Sequence, residues 1–352
     1  MTDAPMHVSR IRAEGGRTHR VTAEVDGSAL WFESDDAALA PAADAYASAL
    51  LVASLDRSVS LTMEDDVSPV WLSNVSRLLP VVSRWWGYPQ SPLTLRPGPG
   101  ATPARAGLTA LCFSGGVDSF FTLLRSGRRI DRLVFVLGFD VPIGDSARFR
   151  AIEASLQEVA RETGTRPIVL RTNLREHPAF APASWERVHG GPLAAVGHLL
   201  RDEAGTLLIS SSYPAAAGET PWGSHWSIDH LWSSESVEVV HVGAEHHRNE
   251  KLRSIANEPL VRKHLRVCWE NLSPTGNCSR CDKCVRARLN LEDWGALEGF
   301  TAFRDSSSLV DDIDALPPVR KSLSAYRRLA AHPHLSWRLR RALRRLIARS
   351  TR

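Results

Sequence analysis

From residue 108 onward the chain alternates short apolar runs with helical stretches, and this alternation constrains the fold more than any other feature. Residues 108–113, 132–137, 167–170, 207–210 and 237–242 have the length and apolar content of buried strands. Residues 117–126, 146–163 and 185–202 have helical spacing, and a further helix is expected near 250–255. Strands apolar on both faces need cover on both faces, and intervening helices supply it. The expectation is an α/β fold built on a doubly wound parallel sheet.

The first hundred residues read differently. Strand-like runs at 7–12 and 18–25 flank a Gly-Gly turn, and a third surrounds Leu30. Helices are expected at 41–55 and 69–86, with a strand at 58–63 between them. Residues 96–103, Arg-Pro-Gly-Pro-Gly-Ala-Thr-Pro, have linker composition. The expected division is an N-terminal α+β domain (1–100), an α/β domain (105–298) and a helical basic tail (299–352).

Where the first apolar run of the α/β part ends, the sequence reads Ser114-Gly115-Gly116-Val117-Asp118-Ser119. Glycines let backbone N–H groups converge on a ligand, and the start of a helix adds partial positive charge, so the turn suits phosphate. Ser114 and Ser119 add hydroxyl donors. Asp118 repels a bare phosphate and is better suited to magnesium or to orienting the loop. The run matches neither the Walker A loop nor Gly-x-Gly-x-x-Gly. It matches in full the Ser-Gly-Gly-x-Asp-Ser signature of the PP-loop (N-type) ATP pyrophosphatases, and the chain resembles that superfamily. The resemblance implies an adenine nucleotide alpha hydrolase-like fold, with ATP and Mg2+ bound at the loop. It implies adenylation of a carboxylate or carbonyl-type oxygen, followed by attack of ammonia, an amine or sulfide with loss of AMP.

Four of the five cysteines, Cys268, Cys278, Cys281 and Cys284, crowd into seventeen residues. Such density in a chain without secretory features reads as metal ligands, zinc ahead of an iron–sulfur cluster. Four thiolates leave no open coordination position, which makes the expected zinc structural. The spacing resembles that of 7-cyano-7-deazaguanine synthases, over roughly residues 105–298. The Asp-x-Ser-Gly-Tyr-Pro-Asp-Cys-Arg segment of those synthases is missing here, and those synthases lack a domain like residues 1–100. The chain more closely resembles a bacterial PP-loop group sharing Pro-Trp-Gly-Ser-His (221–225) and Asn-Cys-x-x-Cys-x-Lys-Cys (277–284). Cys112, inside an apolar run, reads as core.

Other candidates follow from position. Residues 221–232 carry three tryptophans and two histidines beyond the fourth strand of the α/β part, where ligands of open α/β sheets bind. Trp222 and Trp226 could stack a ring, and His225 and Asp229 could move a proton. Arg187, His189 and Gly190 are candidates for the α-phosphate, and Gly138 and Phe139 for adenine, by resemblance. Arg248 and Lys251, the latter one of four lysines, are the candidates for pyrophosphate.

Charge is unevenly distributed. Eleven basic residues and no acidic one follow Asp314, so the preceding residues carry −7 although the chain carries +4. Residues 335–349 form an expected basic amphipathic helix, with Leu339, Leu343, Leu346 and Ile347 on one face. Packing against the body, RNA, anionic lipid and an acidic carrier all fit it. The first hundred residues show no basic face. There is no apolar run long enough for a membrane span and no signal pattern, so a cytoplasmic protein is expected. The expected function is an AMP-forming synthetase acting on a small molecule. A sulfur transferase acting on tRNA or a small molecule, a non-catalytic ATP sensor and a homodimer remain open.

Overall fold

A computed structural model describes residues 4–16, 18–89, 94–99, 105–273, 276–303 and 308–351. Residues 100–103 of the expected linker lie outside the described residues. The chain groups into two compact units. The first comprises Met1–Ser114, Arg125–Asp145 and Leu156–His247; the second comprises Gly115–Leu124, Ser146–Ser155 and Arg248–Arg352.

The first unit is α/β and holds one nine-stranded sheet. Its strands are β1 (Met6–Glu14), β2 (His19–Val25), β3 (Ser28–Ser34), β4 (Leu61–Met63), β5 (Thr109–Cys112), β6 (Arg132–Leu137), β7 (Arg166–Thr172), β8 (Thr206–Ser210) and β9 (Glu238–Val242). They lie in the order β4-β1-β2-β3-β7-β6-β5-β8-β9. From β7 to β9 every pairing is parallel, and the order reverses on either side of β5. β1, β2 and β3 form an antiparallel meander, and β4 pairs parallel with β1.

The expected separation of residues 1–100 from the α/β part does not interrupt the sheet. β3 pairs antiparallel with β7, Phe32 opposite Thr172 and Glu33 opposite Arg171. Polar side chains extend that seam: Ser34 Oγ donates to the Val169 carbonyl, and the Val169 N–H donates to Asp36. Asn173 accepts from the Trp31 N–H and donates to the Ala29 carbonyl. The pattern of residues 1–100 encodes strands, but pairing partners are set by edges, and β7 offered a free one.

Helix α1 (Ala43–Asp56) is buried from Asp44 to Leu55. Its small and apolar residues run all the way round, which is the composition of a helix with no solvent face. The Tyr46 hydroxyl donates to the Val21 carbonyl across to the sheet. Helix α2 (Pro69–Trp86) is amphipathic, is capped by Ser68 and ends at Gly87 in the left-handed conformation. Helices α3 (Val117–Arg125) and α4 (Ser146–Thr163) follow β5 and β6.

The single helix expected over 185–202 is divided into α5 (Trp185–Val188) and α6 (Gly190–Leu199). Two backbones closely approach the glycines that follow the break. A Cβ at Gly190 would overlap the Gly223 carbonyl oxygen, and one at Gly191 the Ser48 carbonyl oxygen.

The second unit is helical beyond residue 247: α7 (Arg248–Ile255), α8 (Pro259–His264), α9 (Asp282–Asp293), α10 (Leu309–Ala315), α11 (Leu323–Ala330) and α12 (Trp337–Thr351). Val285 and Leu289 of α9 share a core with Ile313, Tyr326, Leu329, Leu339, Leu343 and Leu346. The apolar face of the basic tail is therefore buried. Among the described residues no helix is long and apolar enough to cross a membrane.

Candidate functional site

The first candidate centre lies in the second unit. Gly115 has φ +72°, a conformation that costs a non-glycine residue strain, and its carbonyl accepts from the Arg266 N–H at 2.8 Å. Asp118 stands in the first turn of α3. Its Oδ2 accepts from Arg248 Nε at 2.9 Å and Nη2 at 2.7 Å, and its Oδ1 accepts from Lys251 Nζ at 3.2 Å. Ser119 turns its hydroxyl to the Gly116 carbonyl at 3.1 Å. Arg248 and Lys251 are three residues apart on α7, so both fall on one helix face. Lys251 is buried, with its ammonium 5.7 Å from the Phe121 ring centroid. A buried ammonium is tolerated only with a partner, and Asp118 is one. Arg248 is half-exposed and faces the same carboxylate. The arrangement concentrates two cations and one carboxylate beside a glycine turn that opens a helix.

The second centre is the cysteine cluster, also in the second unit. The four sulfurs lie within 4.8 Å of one another, and all four residues are buried. Cys268 Sγ is 3.9 Å from Cys281 Sγ, and Cys278 Sγ is 3.9 Å from Cys284 Sγ. None is disulfide-bonded. Local backbone makes this possible: Cys281 caps α9, Cys284 lies in its first turn, and Ser279 adopts positive φ between Cys278 and Cys281. Asn277 accepts from the Val267 and Cys268 N–H groups and so ties the distant Cys268 to the knuckle. Four buried thiols so placed can hold a metal ion.

A third cluster lies in the first unit around Asp229, which is fully buried. Its carboxylate accepts from Ser224 Oγ at 2.6 Å, the His225 N–H at 3.1 Å and His241 Nδ1 at 2.6 Å. His225 turns its own ring elsewhere. Its Nδ1 accepts from the Ser227 N–H at 3.2 Å and lies 2.8 Å from the Ser227 hydroxyl. Burial pushes His225 below the ordinary histidine range, with the neighbouring His241 adding to it. His241 donates through Nδ1 and leaves its buried Nε2 unpartnered. His241 was not legible as a site residue; the one signal is a histidine within the Glu-Val-Val-His-Val strand. Of the tryptophans beside it, Trp232 is core, Trp226 is exposed, and Trp222 stands edge-on to His189 at 5.4 Å and to Tyr213 at 5.4 Å.

The remaining candidates have identifiable packing roles. Gly138 has φ +104°, and a Cβ there would overlap the Thr172 carbonyl. Phe139 is buried against Trp185 at 5.2 Å. Arg187 pairs with Asp56 at 2.9 Å. His189 is held neutral by burial, with its Nδ1 2.9 Å from the Trp185 carbonyl oxygen. Cys112 is partly buried, and burial pushes its thiol up to about 12, which disfavours the thiolate.

Neither a protein-family model, nor a curated protein, nor a solved structure matches the chain.

Proposed function

We propose that this protein is an ATP-dependent, AMP-forming synthetase of the PP-loop type with an adenine nucleotide alpha hydrolase-like fold. The observation that carries the reading is the convergence of Asp118 with Arg248 and Lys251, about 130 positions later, beside the Gly115-Gly116 turn. A second support is strand order. The Ser114–Ser119 loop follows the carboxyl end of β5, the strand at which the order reverses, and ligands of open α/β sheets bind beyond that end.

In this reading the backbone of Gly115–Val117 and the Ser114 and Ser119 hydroxyls cradle the ATP phosphates. Arg248 and Lys251 take the charge of the departing pyrophosphate, and Asp118 holds both cations in position beforehand. Magnesium, when bound with ATP, neutralises phosphate charge, and Asp118 is the carboxylate at hand for it. The acceptor is a small molecule whose carboxylate or carbonyl-type oxygen is adenylated before an amine or ammonia displaces AMP. A proton-transfer candidate within the first unit is His241. Asp229 fixes its tautomer and leaves its Nε2 lone pair bare, the arrangement of a base with its orienter.

The metal is zinc and its role is structural. A tetrahedron with zinc–sulfur bonds of about 2.3 Å has sulfurs about 3.8 Å apart, close to the 3.9 Å of both measured pairs. A four-iron cluster places each thiolate on a different iron and needs a wider cage.

The test uses ATP labelled at the α-phosphate, incubated with protein, magnesium, ammonium and a small-molecule cell extract. Labelled AMP is expected from the wild type and none from Asp118→Ala. AMP formed equally by both would remove the loop from the chemistry, and no AMP with any fraction of the extract would overturn the synthetase reading.

A further inference from the structure

The basic tail presents a surface that the synthetase reading does not use. The buried face of α12 (Leu339, Ala342, Leu343, Leu346) is committed to the core of the second unit. Its opposite face carries Trp337, Arg338, Arg341 and Arg344, all exposed. Trp337 is 63% exposed, with the Arg338 guanidinium 5.6 Å from its ring centroid. Arginines three apart on one helix face repel each other, and no acidic residue of α12 offsets them. Over the roughly 10 Å of helix from residue 338 to 344, three guanidinium groups approach the charge spacing of a nucleic-acid strand.

The connection that leads into α12 borders a cleft of about 740 Å³, whose lining includes Arg253, Asn257, Asp293, Trp294, His332 and His334. The Asp293 side chain is 7% exposed. Its Oδ2 meets His332 Nδ1 at 2.9 Å, while its buried Oδ1 has no partner among the described residues. A buried carboxylate oxygen without a donor is costly and calls for an N–H. The Trp294 ring, with Arg253 at 5.9 Å from its centroid, offers an aromatic wall. His332 and His334 sit in the connection that leads into α12, and His334 is three residues from Trp337, the first residue of the stripe.

We infer that this surface binds single-stranded RNA. The arginine stripe tracks the phosphates, Trp337 stacks one base, and the cleft takes another whose exocyclic amine donates to Asp293. RNA is the polynucleotide that presents unstacked bases in loops and ends. A bilayer is disfavoured because the apolar face that would enter it is already buried.

The test measures fluorescence anisotropy of a labelled, unstructured, mixed-sequence 20-nucleotide RNA with the full chain. Binding should weaken with salt, and Arg338→Gln/Arg341→Gln/Arg344→Gln should weaken it roughly thirtyfold and flatten the salt slope by about 2. Trp337→Ala should weaken it about tenfold. An abasic oligomer should bind at least tenfold more weakly than the RNA. All four substituted side chains are exposed, so unchanged circular dichroism and melting are expected and checked. Equal binding by wild type and triple variant overturns the inference. So does equal binding of the abasic or a duplex RNA, or tighter binding to anionic phosphatidylglycerol vesicles than to RNA.

Discussion

Asp118 and Lys251 are 133 positions apart in sequence and meet at 3.2 Å, with the ammonium almost wholly out of solvent. The carboxylate therefore stabilises a cation that could not otherwise be buried there. Asp118→Ala should cost about 1–3 kcal/mol in denaturant unfolding, the lower end reflecting the partial exposure of Asp118. Lys251→Met removes the buried charge with little loss of volume, and should fold while losing AMP formation by about a hundredfold or more. Full AMP formation by Lys251→Met would sink the assignment of that lysine to pyrophosphate.

Metal analysis should find one equivalent per chain, identified as zinc. Cys281→Ser should lose that metal and destabilise the helical unit by about 3 kcal/mol or more, because a thiolate set that exists only in the folded chain turns binding free energy into folding free energy. Cys112→Ser is the control: it lies outside the cluster and should keep full metal content. A metal-free, equally stable Cys281→Ser protein is the result that contradicts a structural ion.

Asp229 satisfies three donors from inside the core. Asp229→Ala strands the Ser224 hydroxyl, the His225 N–H and the His241 ring, and should cost about 3–5 kcal/mol. His241→Ala, by contrast, leaves two of the three bonds in place. With His241 as the base, this variant should lower turnover of the identified acceptor by far more than its stability loss of about 1–3 kcal/mol accounts for, whereas His225→Ala should not match that pattern. The check is a paired measurement of melting temperature and rate for both histidine variants.

Asp56 supplies a pH-dependent term. Burial pushes its carboxyl up, but the Ser184 N–H, the Tyr88 hydroxyl and Arg187 outweigh this and hold it below the ordinary 3.8. A folded-state value below the unfolded one means the stabilisation is fully present above the unfolded value. It fades as pH falls through the lower folded value. Asp56→Asn should therefore be less stable than wild type at neutral pH by about 2 kcal/mol, with the gap closing on acidification below 3.8. A gap unchanged by pH would show that the loss is one of packing, not charge.

Strands β5 to β9 and the helices between them follow closely the apolar runs and helical periodicity of residues 108–255, because a buried strand must be apolar on both faces. The glycine turn, the cysteine cluster and the amphipathic tail are equally local: a φ of +72° at Gly115, three cysteines at two-residue spacings and apolar residues every three to four positions are each written within one turn or helix.

The pairings were not legible. Sequence periodicity says which residues of a strand face inward but not which strand lies alongside, so the antiparallel seam of β3 with β7 joined what composition divided at 96–103. The close approach of the Gly223 and Ser48 carbonyls to Gly190 and Gly191 depended on segments distant in sequence. The meeting of His241 with Asp229 depended on β9 lying next to β8. In each case the sequence determined the chemistry a segment can offer, through its own backbone and side chains. Tertiary structure alone decided which offers met, because burial makes polar groups from distant segments satisfy one another.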